Sequence, residues 1–362
     1  MAFSKTSVSA FAAVAIGAPL ALFVGLTGPA SSAEDTADRA QPPVQEIDLE
    51  AMSAGTGPAT PWLSDGTIRT PDARIPVPEG LDITTFAQVG PASFVAIDDT
   101  TGSGSHNRVV RIDRDGVTEL AEGPVTRPFV VSDGADRIAW AEWNGERGQL
   151  VLANPDNGKV LQRTPIDTET YTVGFSQRDV VLERAAGGPA QVWRPGTGIT
   201  EIPGTEGATA TDPDTGLISV VTGHREDPET GYPLACSAVI DPNAGNDQVF
   251  NTCDSTPLGF SPDGKYIWAR DTRTDQAVPA MMFLVDASTG ERLLHIRTFG
   301  TLRRASWEPD GSVLMDVWNN GKVALVRCGL EPGSDCELAT EPVNHVDHSL
   351  EAPLPYLLVE GS

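Results

Sequence analysis

The chain is poor in basic residues. It has 25 lysines and arginines against 50 aspartates and glutamates, so its formal net charge at pH 7 is −25. Such a charge repels nucleic acid and anionic lipid surfaces, and it favours a soluble, monomeric protein. The composition therefore disfavours nucleic acid and anionic membrane surfaces as partners.

The sequence also lacks the motifs of common enzyme classes. It contains no GxSxG, HExxH or P-loop pattern, and its five histidines are scattered. The aspartate-rich turn at residues 113–116 does not continue with the spacing of an EF-hand calcium loop. We therefore predict no catalytic residue and no cofactor, and we leave open a calcium ion in a central channel.

One cluster has the side-chain types of a metal site. His345 and His348 flank Asp347. In an extended chain, residues three positions apart point to opposite sides, so both imidazoles reach one ion only if the chain turns here. The four cysteines lack the CxxC spacing of zinc sites. The sequence therefore predicts no metal site, and residues 345–348 are interpreted as a polar linker.

A long apolar run occurs once, at residues 7–28. Lys5 is the only charged residue before Glu34, and residues 31–33 offer a small-x-small cleavage site. This pattern predicts a signal peptide over residues 1–33, so the protein is expected to be secreted or held in the cell envelope. An apolar run of about 20 residues also spans a bilayer, so a membrane anchor is the alternative if residues 7–28 are not cleaved.

The next segment, residues 34–59, has few apolar side chains and several prolines and glycines. We expect a flexible linker here, because such a composition buries too little apolar surface to offset chain ordering. A single globular domain is predicted over residues 60–362.

Turns closed by glycine recur through that domain. Short apolar strands end at Gly116, Gly158, Gly198, Gly245 and Gly290, at steps of 40 to 47 residues. A period of this length built from short strands is typical of a β-propeller. The predicted fold class is therefore all-β, a propeller of four-stranded antiparallel blades.

Six complete repeats are recognisable, followed and preceded by parts of another. A hairpin at residues 62–78 comes before the first repeat, and a lone apolar strand at residues 353–359 follows the last. A propeller ring is commonly closed by a blade made from both chain ends, since closure removes exposed edges. We predict seven blades, with six blades plus an appended hairpin as the alternative. The repeats are expected to begin near Ile83, Pro128, Thr170, Gly207, Thr256 and Leu302.

The repeat register also pairs the four cysteines. Cys236 and Cys253 fall on consecutive strands of one repeat, and Cys328 and Cys336 flank a hairpin turn. Adjacent strands lie about 5 Å apart, within the range that a disulfide bridges. Four cysteines allow three pairings, and the register selects Cys236–Cys253 and Cys328–Cys336.

One repeat carries a resemblance to a known family. Residues 261–271 read SPDGKYIWARD, a strand-joining turn and an aromatic-rich strand that resemble the WD-like repeats of TolB-type propellers. The resemblance covers roughly residues 80–340 and is clearest in the fifth and sixth repeats. The resemblance implies the propeller fold, and it implies that the protein binds peptides or other proteins. The motif is a turn signature, so it brings no catalytic residue with it.

Candidate binding residues lie in the loops between the second and third strands of the repeats. The longest are residues 222–234 of the fourth repeat and 271–280 of the fifth, which neighbouring blades place side by side. Binding residues occur preferentially in loops that are positioned by a rigid scaffold. The candidates are His224, Arg225, Glu226, Asp227, Tyr232, Asp271, Arg273 and Asp275.

These observations favour a secreted, acidic propeller that acts as a protein- or peptide-binding module. One alternative is a propeller enzyme, a hydrolase or lyase that acts on a carbohydrate or lactone around a channel metal. The predicted inner strands offer mostly Phe, Val, Thr, Gly, Arg and Ser, which argues against it. A second alternative is a structural protein of the cell envelope.

Overall fold

The computed structural model describes residues 42–102, 106–273, 280–330, 335–345 and 355–360. In these residues the chain forms seven sheets, each with an antiparallel set of four strands, and one short 3-10 helix at Pro242–Ala244. The sheets are the blades of a seven-bladed β-propeller, so the predicted fold class and blade number are confirmed. No helix among the described residues is both long and apolar enough to cross a bilayer.

The first strands along the chain belong to blades that are completed much later in sequence. β1 adds a fifth, parallel strand to the outer edge of the fifth blade, and β2 to β4 form three strands of the seventh. Their bounds are β1 Val44–Ile47, β2 Trp62–Ser64, β3 Thr67–Arg69 and β4 Arg74–Pro76.

Six blades follow, each from four consecutive strands that are called a to d from the innermost outwards. Blades 1 to 3 comprise β5 Ile83–Gly90, β6 Ser93–Asp99, β7 Asn107–Asp113, β8 Gly116–Gly123, β9 Val125–Val131, β10 Ile138–Trp143, β11 Gly148–Ala153, β12 Val160–Ile166, β13 Thr170–Ser176, β14 Asp179–Arg184, β15 Gln191–Arg194 and β16 Gly198–Glu201.

Blades 4 to 6 repeat this order, and β29 pairs with β27 beside β28. Their strands are β17 Gly207–Thr211, β18 Ile218–Glu226, β19 Pro233–Asp241, β20 Asp247–Thr252, β21 Ser255–Phe260, β22 Tyr266–Asp271, β23 Met281–Asp286, β24 Arg292–Thr298, β25 Thr301–Trp307, β26 Val313–Asn319, β27 Lys322–Cys328, β28 Cys336–Leu338 and β29 Val343–Asn344.

The ring is closed by a blade built from both ends of the domain. The last strand, β30 (Leu357–Leu358), pairs with β2 as the innermost strand of blade 7. The composite seventh blade predicted from the sequence is therefore present. The two predicted disulfides, Cys236–Cys253 and Cys328–Cys336, are also formed.

The hydrophobic core lies between the blades. The described residues form seven buried clusters, and each joins a neighbouring pair of blades around the ring. The cluster between blades 7 and 1, for example, packs Ile68 and Ile75 against Phe86 and Phe94. Because the strands that face these clusters are apolar on both sides of the sheet, their sequences read as continuous hydrophobic runs.

The described part of the expected linker is structured, so that prediction is wrong for the segment after Pro43. β1 pairs in parallel with β24, and Ile47 and Leu49 are buried in the cluster between blades 5 and 6. Farther along, the guanidinium of Arg327 donates hydrogen bonds to the carbonyls of Thr56 and Gly57. We call residues 43–59 the strap. The sequence predicted a linker because the strap has few apolar residues. Two buried side chains, Ile47 and Leu49, and pairing with the edge strand β24 are enough to hold it in place. Residues 1–41 lie outside the described part.

Candidate functional site

The two faces of the propeller differ in the length of their loops. In blades 1 to 6 the a–b and c–d turns lie on one face, and the b–c loops and the connections to the next blade lie on the other, which we call the b–c face. On the b–c face, β18 and β19 of blade 4 are nine residues long and stay paired as far as Glu226 and Pro233. This hairpin carries five of the predicted site residues.

The hairpin tip is held by Asp227. Its backbone amide donates to the Tyr232 carbonyl at 2.8 Å, and its carboxylate accepts from the Glu229 amide at 3.1 Å and the Thr230 hydroxyl at 2.9 Å. The Glu229 amide and then the Thr230 hydroxyl lower the pKa of this carboxyl. Asp227 is buried, so it shapes the tip rather than presenting a side chain to a partner.

Charged residues of blades 4 and 5 meet beside the tip of this hairpin. Arg225 and Arg273 both donate to Asp254 Oδ1, at 3.1 and 3.2 Å, and Arg273 Nε lies 3.9 Å from Asp227 Oδ2. The structure thus brings these predicted residues together through Asp254, which the sequence did not single out. The ion pairs fix the hairpin against blade 5.

The other predicted residues of the b–c face have separate positions. His224 Nδ1 lies 3.1 Å from Glu206 Oε2, and Glu226 is exposed on the hairpin. The Asp271 carboxylate is buried and accepts from the Arg273 amide at 2.8 Å, so it supports the loop. Asp275 lies outside the described residues.

Two exposed aromatic side chains stand on this face. Among the aromatic residues that the structure describes, only Tyr232 and Phe299 are largely exposed, at 72% and 89%. Tyr232 is at the blade 4 hairpin tip, and Phe299 is in the connection from β24 to β25. Phe299 was missed from the sequence. The sequence does contain a hint of its exposure. Phe299 stands next to Gly300 in a short connection between two strands, where a side chain does not point into the core between blades.

The central channel contains a cavity of about 500 Å³. The a-strands of blades 2 to 6 line it, and several of the lining residues are small, namely Gly174, Ala208, Ala210, Gly259 and Ala305. Each of these a-strands also carries a bulge in its register with strand b. Small side chains leave the channel open along the a-strands of blades 3 to 6.

Charged and aromatic side chains from the b-strands reach the same cavity. Glu183 lies on β14, and Trp268 and Arg270 lie on β22. Burial raises the pKa of Glu183 and lowers the pKa of Arg270. The cavity is further lined by Tyr171, whose hydroxyl donates to Glu169 Oε1 at 3.2 Å, and by Glu360.

A buried carboxylate lies where blade 6 meets blade 7. Asp316 on β26 is fully buried, and neither of its oxygens has a hydrogen-bond partner among the described residues. Its neighbour across the sheet is Arg304, and Arg303 precedes that residue on β25. Burial raises the pKa of Asp316 to about 7, and the two arginines oppose this rise.

The segment at residues 345–348, interpreted from the sequence as a polar linker, lies only partly within the described residues. No group of three or more metal-ligating side chains occurs in the described ranges. His345 is described, and its amide donates to the Gly321 carbonyl at 2.7 Å. Asp347 and His348 lie outside the described residues, so their arrangement stays a prediction.

Comparison with known proteins gives a likeness of fold. Solved structures with similar folds include the β-propeller domain of the Trilobed protease from Pyrococcus furiosus, at 13% identity over 70% of this chain and 82% of that chain, with a TM-score of 0.49. TolB from Acinetobacter baumannii matches at 12% identity over 76% and 61% of the two chains, with a TM-score of 0.43. Dihydro-heme d1 dehydrogenase NirN matches at 15% identity over 80% and 75%, with a TM-score of 0.45.

These matches carry no argument about activity. TolB, the type of propeller that residues 261–271 resemble, is among the similar structures. No protein-family profile matches the chain, and no curated protein sequence does. The chain is a seven-bladed β-propeller.

Proposed function

We propose that the protein is a protein- or peptide-binding module that contacts its partner through the b–c face. The observation that carries this proposal is the exposure of Tyr232 and Phe299 on one face of the ring. Large aromatic side chains are normally buried, and they are enriched at the centre of protein interfaces, where a few of them supply most of the binding energy.

The surroundings of Tyr232 support this role. The ion pairs of Arg225 and Arg273 with Asp254 and the hydrogen bonds of Asp227 hold the hairpin in one conformation. A loop that is ordered before binding loses less conformational entropy when the partner arrives. The closed ring beneath it is a rigid support, as binding loops require.

An extracytoplasmic location belongs to the same proposal. Two disulfides join all four cysteines of the chain, and disulfides persist in oxidising compartments. Together with the predicted signal peptide, they support a secreted protein or one of the cell envelope. A monomer is expected from the net charge of −25.

The experiment is site-specific photo-cross-linking. A photoreactive phenylalanine analogue is placed at position 232, at 299 or, as control, at 161. Leu161 is 50% exposed but lies on β12, the outer strand of blade 2. Each protein is irradiated with the other secreted proteins of its source. We expect the same discrete adduct from positions 232 and 299 and none from 161. Adducts of equal yield from all three positions, or none from 232 and 299, contradict the proposal.

A further inference from the structure

The channel cavity contains an aromatic ring and a carboxylate side by side. Tyr171 on β13 and Glu183 on β14 are direct partners in the antiparallel register, and both line the cavity. Directly opposed residues share one face of a sheet, with their Cβ atoms about 5 Å apart. The pair is therefore a single feature of the channel wall at the b–c end of blade 3.

Glycine in the next blade makes room for the carboxylate. Gly207 begins β17 with φ +159°, and a Cβ placed on it would lie 3.1 Å from Glu183 Oε1. Within blade 5, Gly259 is the direct register partner of Trp268, and a Cβ on Gly259 would overlap the indole Nε1. Both side chains thus occupy space beside the channel that a larger residue would fill.

Within the described structure, no hydrogen bond or ion pair joins Glu183 to another residue. The side chain is only partly accessible to water, so its carboxylate has lost some hydration without gaining a partner. Desolvation of this kind is costly for an anion and is offset when a cation binds.

We propose that this cavity binds an organic cation, a ligand that ends in an ammonium or guanidinium group. The Glu183 carboxylate accepts charge-assisted hydrogen bonds from it, and the rings of Tyr171 and Trp268 supply aromatic faces that attract cations. The charged groups that line the cavity are Glu183, Glu360 and Arg270, and the protein as a whole attracts cations. An organic cation fits better than calcium, which takes six to eight oxygen ligands.

The first test measures binding by isothermal titration calorimetry with the purified protein. The probes are n-butylguanidinium, n-butylammonium and n-butanol, an uncharged compound of similar shape. We expect both cations to bind and n-butanol to bind at least about tenfold more weakly, since a charge-assisted contact is lost. Equal binding of n-butanol, or no binding of either cation, overturns the proposal.

Variants assign the binding to this site. Glu183→Gln keeps the shape of the side chain and should weaken both cations about tenfold or more. Glu291→Gln removes the same charge from an exposed turn on the opposite face and should change nothing. Tyr171→Leu keeps the carboxylate and should weaken the cations about threefold or more, with n-butanol unaffected. Equal losses in Glu183→Gln and Glu291→Gln, or unchanged binding in both Glu183→Gln and Tyr171→Leu, contradict the assignment.

The same chemistry is offered by a free amine and by an arginine side chain of a bound protein. Acetyl-Gly-Arg-Gly amide separates the two sources. Tighter binding than n-butylguanidinium supports a peptide that extends onto the b–c face, and weaker binding supports a free small molecule. These titrations use no protein partner, so their outcome is independent of the cross-linking at Tyr232 and Phe299.

Discussion

Replacing Asp316 by asparagine should make the protein more stable at neutral and alkaline pH. The carboxyl is fully buried without a hydrogen-bond partner among the described residues, and burial raises its pKa from 3.8 to about 7. Each pKa unit corresponds to about 1.36 kcal/mol. The folded protein is therefore destabilised by about 4 kcal/mol once this carboxyl is ionised in both the folded and the unfolded state.

The pH dependence has a defined direction. Below pH 4 the carboxyl is protonated in both states, and its stabilising neutral form is fully present. As the pH rises, the unfolded chain loses the proton first, so the free energy of unfolding falls until the pH exceeds about 7. Asp316→Asn should accordingly raise the free energy of unfolding above that of the wild type by about 1 kcal/mol at pH 4.5 and by about 4 kcal/mol at pH 8.

The assay is urea unfolding followed by tryptophan fluorescence at several pH values between 4.5 and 8. Asp133→Asn is the matched control, because Asp133 is exposed on an a–b turn; its profile should run parallel to that of the wild type. A gain that is the same at pH 4.5 and pH 8 would refute the reasoning. So would a loss of stability in Asp316→Asn at pH 8.

Two further predictions concern the ends of the domain. Deleting residues 355–362 removes the buried Leu357 and Leu358 and opens the ring. The free energy of unfolding should fall by about 5 kcal/mol, and the melting temperature should fall markedly with it. An unchanged melting temperature would mean that β30 does not close blade 7. Ile47→Ala should cost about 2–5 kcal/mol in urea unfolding, because Ile47 packs between blades 5 and 6. The exposed Val44→Ala on the same strand is the control, and equal small effects would show that the strap is not docked.

Much of the architecture could be predicted from the sequence, because tight turns and buried strands are local signals. The fifth repeat is expected to begin near Thr256, and β21 begins one residue earlier, at Ser255; the turn recognised within residues 261–271 lies directly between β21 and β22. The seventh blade could be predicted for a different reason. A propeller needs closure, and the hairpin and the terminal strand were the only unassigned apolar segments.

The channel pair could not be predicted, because it depends on contacts between blades. Residues 179–184 read as an ordinary blade strand, and nothing local shows that Glu183 reaches the channel. Its position depends on Gly207, in the next blade. The strap was missed for a similar reason, since its strand is stabilised by an edge about 250 residues away in sequence, at residues 295–298.

The seven interblade clusters have a consequence for how the molecule opens. A linear repeat protein has two end repeats with a single neighbour each, and unfolding can begin there. In this ring every blade has two neighbours, so there is no end repeat from which to fray. The weakest point is instead set by strand length. Blade 7 is built from strands of two and three residues, whereas the inner strands of the other blades have five to eight. The ring should therefore open first at blade 7, where strands from the two ends of the domain pair with each other.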